Sequence, residues 1–326
     1  MIEVFGLAQD ELFVEDHAGD DTALRRAIAS RFTILGELGH GGMGTVYLAN
    51  DARLGRDVAI KVVSTEATAG IGSELLLQEI RNVARLQHPN ILPLHDGGTE
   101  VDQPYYVMPY VRSGSLRTML DRRRRLPLPD VLVIVDGIAA ALDSAHAQQI
   151  LHCDIKPENV LIQGLHPLVM DFGIARTLHS EADEWIGQRV GLDYSAGTPA
   201  YVSPEQAAGD RALDQRSDVY SLACVAYEMM AGRPPFEGGT TQEVVSLRFR
   251  TQPPPLRDFA PEVPVRIPAV ISRAMSLDPD LRPATATGFA LELRHAASNS
   301  SAVIAMGAVA ETRALGRIRA SFGLLA

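Results

Sequence analysis

Between Phe32 and Met108 the apolar residues come in short runs. Phe32–Leu38, Thr45–Ala49, Val58–Val63 and Tyr105–Met108 are rich in Val, Ile, Tyr and Thr and are broken by Gly and Asn, as strands of a sheet are. One segment among them has another period. In Glu74–Leu86, Leu76, Ile80, Val83 and Leu86 recur at i, i+4, i+7 and i+10, and Pro89 follows, which predicts a helix with a single apolar stripe. After about Val111 the helical period takes over, as in Asp130–Gln148 and Asp218–Ala231. A small β-rich lobe followed by a larger helical one is an α+β arrangement, with a cleft expected between the two.

The boundaries follow from the same pattern. Residues 1–30 hold seven acids against Arg25 and Arg26 and read as an acidic extension; Asp20, Asp21 and Thr22 can cap a short helix with Leu24 and Ile28 on one face. The folded domain is expected over 31–296, with an N-lobe at 31–110 and a C-lobe at 111–296. Residues 297–326 read as a tail. Within it Leu315, Ile318, Phe322 and Leu325 fall at helical spacing beside Arg313, Arg317 and Arg319, a basic amphipathic pattern that suits docking on the chain's own domain or fraying better than membrane contact.

Four segments carry candidate chemistry. The first is Gly39-His40-Gly41-Gly42-Met43-Gly44. A dinucleotide fingerprint runs into a helix, and a Walker loop needs lysine where Thr45 stands. Here Thr45-Val46-Tyr47 continues as a strand, so the glycines join two strands. Such a hairpin is either plain structure or a cover for phosphates, since missing side chains let backbone N–H groups approach an anion. The second is Val58-Ala59-Ile60-Lys61, where alternation puts Ala59 and Lys61 on one face. That lysine either snorkels at an edge or borders a pocket for an anion. Glu79 lies beside the helical stripe, either within its reach or as a solvated face residue.

The third and fourth segments are more specific. Leu151-His152-Cys153-Asp154-Ile155-Lys156-Pro157-Glu158-Asn159 precedes Val160-Leu161-Ile162, and Asp171-Phe172-Gly173 follows. A carboxylate, a lysine and an amide at n, n+2 and n+5 offer a base, a phosphate contact and a metal ligand, and a second carboxylate stands seventeen residues after Asp154. Oxygen donors without a His or Cys cluster suit Mg²⁺ rather than zinc.

At this point the chain resembles the protein kinase family over about Arg31 to Ala296. The pieces occur in the family's order and include Gly197-Thr198-Pro199, Ser203-Pro204-Glu205, Asp218-Val219-Tyr220-Ser221-Leu222 and Asp278-Pro279 with Arg282-Pro283. The wording of the glycine loop and of Tyr106-Val107-Met108-Pro109-Tyr110-Val111 is similar to that of bacterial serine/threonine kinases of eukaryotic type.

The resemblance implies a bilobal kinase-like fold and a set of roles. Gly39, Gly41 and Gly44 would cover the ATP phosphates. Lys61 would hold the α- and β-phosphates, oriented by an ion pair with Glu79. Leu38, Val46, Ala59 and Leu161 would enclose the adenine, with Met108 as gatekeeper and backbone groups of Pro109 and Val111 on the base. Proline at 109 replaces the family's frequent glutamate but keeps the carbonyl. Asp154 would orient the acceptor hydroxyl, Lys156 would meet the γ-phosphate, and Asn159 and Asp171 would hold Mg²⁺, or Mn²⁺ in its place. Glu205 with Arg282 would fix the activation segment, and Asp218 would support the catalytic loop. Proteins with Ser or Thr acceptors are the implied partners, with self-association for autophosphorylation. The alternative is a pseudokinase that binds nucleotide or protein without transfer, and every catalytic position argues against it. Cys153 stands where the family often has arginine, which removes a cation that would answer phosphorylation at Thr177, Ser180, Ser195 or Thr198.

Charge and composition narrow the setting. Thirty Lys and Arg against forty Asp and Glu give a net charge of −10, so the chain has no general attraction to nucleic acid or an anionic membrane. The arginine run at 122–125 reads as a solvated loop. Two cysteines are too few for a disulfide scaffold, Met1 leads into acids, and the longest uncharged apolar runs fall far below the roughly 20 residues of a membrane helix. A cytoplasmic protein with no membrane span in this chain is expected.

Overall fold

The computed structural model describes residues 26–41, 44–64, 73–100, 103–172, 199–210 and 212–298. The expectations for residues 1–25 and for the tail from 299, as well as those for Gly42, Met43, Gly173, Thr177, Ser180, Ser195, Gly197 and Thr198, lie outside the described residues.

The N-terminal lobe is built on a five-stranded antiparallel sheet in the order β1-β2-β3-β5-β4. Its strands are β1 (Phe32–Gly41), β2 (Gly44–Asp51), β3 (Arg56–Val63), β4 (Asp96–Glu100) and β5 (Gln103–Pro109). Four were legible as apolar runs. The fifth, β4, has the sequence Asp-Gly-Gly-Thr-Glu and no apolar alternation; its strand geometry comes from pairing with β5. Gly41 pairs with Gly44, so the glycine loop joins two strands. Gly44 has φ +131°, and a Cβ there would lie 1.9 Å from the Val62 carbonyl oxygen, so β3 by itself requires glycine at this point.

Helix α1 (Ser73–Val83) packs across β4 and β5. All four residues of its predicted stripe, Leu76, Ile80, Val83 and Leu86, are buried. Burying each such side chain is worth roughly 2 kcal/mol; Leu76 and Ile80 hold α1 to the sheet, whereas Val83 and Leu86 join the core of the C-terminal lobe. The helix ends three residues early because Arg85 and Leu86 donate to the carbonyls of Asn82 and Val83, tightening the last turn before Pro89.

The C-terminal lobe is mainly helical: α2 (Leu116–Arg123), α3 (Leu128–His146), α4 (Pro204–Ala208), α5 (Arg216–Ala231), α6 (Thr241–Arg250), α7 (Leu256–Phe259), α8 (Ile267–Ala274) and α9 (286–298). Every residue of α5 after Arg216 is buried, and α3, α7 and α8 pack around it. Its apolar residues run almost without interruption because it has no solvent face. A two-stranded ribbon, β6 (Val160–Gln163) with β7 (His166–Val169), carries the segment between the two candidate carboxylates. The arginine run ends α2, and Arg122–Arg125 are exposed, as expected; Arg125 pairs with Glu262.

Candidate active site

The apolar wall of the cleft comes from both lobes. Val46, Ala59, Met108, Val111 and Leu161 are buried in one cluster, with Leu38 packed against it. Strand register explains the assembly. Ala59 lies opposite both Leu48 and Met108, and Lys61 lies opposite both Val46 and Tyr106. A flat apolar slot is thus floored by β6 of one lobe and roofed by β1 to β3 of the other, with Pro109 at its edge.

At the polar end, Asp154 sits in a short network. Its Oδ2 meets Lys156 Nζ at 2.8 Å and accepts from Asn159 Nδ2 at 2.9 Å; the same Nδ2 donates to the Asp154 carbonyl at 2.8 Å. Lys156 is almost wholly buried, which works against its charge, but the Asp154 carboxylate beside it raises its pKa overall. Behind Asp154, His152 accepts the Asp154 N–H at Nδ1 and donates from Nε2 to the Met170 carbonyl at 2.9 Å. A carbonyl can only accept, so the Nε2–H tautomer is required.

One buried carboxylate anchors this loop. Asp218, near the start of α5, accepts from the N–H of His152 at 2.9 Å, the N–H of Cys153 at 2.8 Å and His146 Nε2 at 2.7 Å. Burial pushes its pKa up, the bonds and charge of His146 pull it down, and the net direction is down. Cys153 has φ +62°, a conformation that costs energy in a non-glycine residue, and its carbonyl is held by Gln206 Nε2 at 2.7 Å. Glu205 and Arg282 form the expected bidentate pair, both contacts 2.7 Å, in which the arginine side chain is fully buried.

The arrangement differs from expectation at Lys61. Its ammonium lies 2.5 Å from Asp171 Oδ2, while Glu79 faces Asn82 on its own helix at 3.4 Å. The expected Lys61–Glu79 pair is therefore not formed. Asp171 also accepts a bond from the Tyr106 hydroxyl at 2.6 Å. Burial raises the Asp171 pKa, but the Lys61 charge and the two bonds outweigh it and lower it overall. Neither the tyrosine nor the anchoring His146 was singled out in the sequence. A residue two places before Met108 that faces Lys61 from the adjacent strand is visible only once register is known.

Asn159 and Asp171 fit a hard divalent cation. The bonds of Asn159 to Asp154 both use Nδ2, which reserves its amide oxygen, and Asp171 supplies a carboxylate. Among the described residues no three His, Cys, Asp or Glu side chains gather as a metal group. One carboxylate and one amide oxygen completed by substrate phosphates is the pattern of Mg²⁺. A cavity of about 380 Å³ lies elsewhere, between α1 and β4, and none of its lining residues, such as Leu77, Arg81 and Leu94, belongs to this set.

Comparison with known proteins identifies the family. Residues 32–292 match the family model described as protein kinase domain. A probable serine/threonine-protein kinase of Streptomyces coelicolor is 35% identical over 293 residues, covering 87% of this chain and 43% of that protein. The serine/threonine-protein kinase PknB of Mycobacterium leprae is 36% identical over 272 residues, covering 82% of this chain and 43% of its own length. A solved structure of Rad53 (1–466) in complex with AMP-PNP aligns with TM-score 0.65 and 25% identity, covering 82% of this chain and 66% of that one. The chain thus spans less than half the length of these curated relatives.

Proposed function

Because this chain belongs to the protein kinase family, we propose that it transfers the γ-phosphoryl group of ATP to Ser and Thr hydroxyls of proteins, itself included. The observation that carries this is the convergence of Asp154, Lys156 and Asn159 in one bonded group at the polar end of an apolar slot. We place the transferring domain at residues 31–296, between the acidic extension and the tail.

The roles follow from the chemistry of each group. The slot takes the flat adenine, whose apolar faces leave water for Val46, Ala59 and Leu161. Gly39, Gly41 and Gly44 offer backbone N–H groups above the phosphates. Lys61 exchanges Asp171 for the α- and β-phosphates. Asp154 holds the acceptor hydroxyl and takes its proton as the new P–O bond forms and the bond to ADP breaks. Lys156 lies beside it and neutralises charge on the transferred group. Asn159 and Asp171 would hold Mg²⁺, which supplies further charge neutralisation. Catalysis of this kind is mainly positioning and electrostatics. Preference for Ser and Thr over Tyr is supported by Lys156, which narrows the space a phenol would need, and by the names of the relatives. A pseudokinase reading has no support, since no catalytic side chain is missing.

The test is incubation with ATP, Mg²⁺ and a generic Ser/Thr protein substrate, followed by phosphoamino-acid analysis. Asp154→Asn should lower turnover by about 10²–10⁴-fold. Lys61→Met should cripple turnover even where nucleotide still binds. Wild-type-like turnover in either variant, or mainly phosphotyrosine in the product, overturns the assignment.

A further inference from the structure

Tyr106 is an unusual residue to find where it sits. It is fully buried on the face of β5 that carries Met108, directly opposite Lys61 of β3 and Gly97 of β4. Gly97 makes its place: a Cβ added there would lie 3.2 Å from Ile80 Cγ2 of α1 and 3.7 Å from Tyr106 Cβ. The ring is thus held between a helix and a strand that has no side chain to move it. Phenylalanine would fill the same space with no polar atom to satisfy. The hydroxyl has to find a partner, because a buried donor left unpaired costs about 1–3 kcal/mol.

The partner is the Asp171 carboxylate. Tyr106 donates to Oδ1 at 2.6 Å, and Lys61 approaches Oδ2 at 2.5 Å. The lysine ammonium itself lies 5.9 Å from the centre of the Tyr106 ring. A carboxylate on two rotatable bonds is thereby gripped at both oxygens from neighbouring strands. The two grips are not equivalent. Lys61 is a mobile cation on a flexible stem that leaves Oδ2 when phosphates arrive, whereas the phenol is rigid and neutral and has no competing ligand in the slot.

We propose that Tyr106 is a positioning residue for phosphoryl transfer: its hydroxyl fixes Asp171 through Oδ1, so that Oδ2 stays aimed at the cleft after Lys61 has moved to the nucleotide. This rests on the reading of Asp171 as a metal ligand. Groups that hydrogen-bond a ligating carboxylate typically change metal affinity by about 10–100-fold. Each carboxylate oxygen has two lone pairs, so the phenol can stay in place while Oδ2 takes a cation.

The experiment compares AMP-PNP affinity with and without Mg²⁺, by calorimetry, for wild type, Tyr106→Phe, Asp171→Asn and the double variant. Tyr106→Phe keeps the ring, and melting curves confirm that it is folded. It should bind metal-free AMP-PNP within about twofold of wild type and lose about tenfold of the magnesium-dependent gain. In the Asp171→Asn background it should change nothing further, since the two act through one group. A magnesium gain in Tyr106→Phe within twofold of wild type reduces the tyrosine to core packing. An increased gain shows that the hydroxyl competes with the cation. Either result overturns the inference while the kinase reading stands. An intact gain in Asp171→Asn overturns the metal-ligand reading itself, and this inference with it.

Discussion

The catalytic loop and the nucleotide-facing sheet meet at the same cleft but are held in different ways. In the loop, Asp218 takes bonds from two backbone N–H groups and one imidazole, Gln206 takes the Cys153 carbonyl, and His152 ties Asp154 to Met170. These bonds stay within the C-terminal lobe and need no substrate. Across the cleft, Lys61 is held by Asp171, and Glu79 is bonded to its own helix. The difference shows a division of labour. Under the proposed function, the groups that would meet the acceptor hydroxyl are set during folding, whereas those that would meet the phosphates exchange partners when nucleotide enters. Preorganised dipoles act without reorganising at the moment of reaction, and the loop gains most from that.

If the loop owes its shape to one buried carboxylate, removing that charge should damage folding and catalysis together. Asp218→Asn turns an amide N–H₂ toward the Cys153 N–H or toward the His152 N–H and His146, depending on its orientation, and leaves His146 without its closest charge. A stability loss of about 3–5 kcal/mol is expected, read as a lower urea midpoint, along with a large loss of turnover. Wild-type stability in this variant would mean that the loop holds itself.

Acid and base should act on the same anchor with opposite signs. Burial lowers the His146 pKa, but the nearby Asp143 carboxylate and the bond and charge of Asp218 raise it from 6.5 to about 9. A raised cation stabilises fully below its unfolded value, so stability should fall as pH rises from about 6.5 through 9, by up to about 3 kcal/mol. For Asp143, burial raises the pKa, but the His146 imidazole 3.7 Å away and bonds from Thr287 and Ala286 bring it down from 3.8 to about 2. Its contribution is present above 3.8 and is lost as pH falls through 2. Denaturation midpoints across pH for wild type and His146→Gln test this, since the variant should lose the alkaline slope.

Glu79→Gln probes the other side of the cleft. No bond from Glu79 to Lys61 exists here to be lost, so the melting temperature of the nucleotide-free protein should hardly move. If Glu79 takes Lys61 over when nucleotide binds, turnover should fall by about tenfold, or about 1.4 kcal/mol in barrier. A large drop in stability with unchanged turnover would reverse the contrast.

The smallest effect is expected from phosphorylation of the activation segment. Cys153 offers a thiol where a cation would answer a phosphate, and an exposed single pairing elsewhere is worth only about 0–1 kcal/mol. Phosphatase-treated and autophosphorylated enzyme should therefore differ by less than about tenfold on one exogenous peptide. A larger gap would show that the segment, and not the anchored loop, controls the site.

The chain's own residues determined much of this in advance. Short β-type runs, one 3.6-period stripe and a nearly unbroken apolar α5 predicted two lobes, because each pattern has only one way to bury its apolar face. Spacing alone put Asp154, Lys156 and Asn159 together, since five residues of one loop cannot travel far apart. Tertiary structure decided what local pattern cannot carry. β4, with two glycines and no alternation, is a strand only because β5 pairs with it. Lys61 lies 110 residues from Asp171, and Tyr106 lies 65 residues from it. Which carboxylate the lysine takes, Asp171 or Glu79, depends on how α1 sits on the sheet and how the lobes meet. Those distances arise from packing between elements, and no property of either residue alone encodes them.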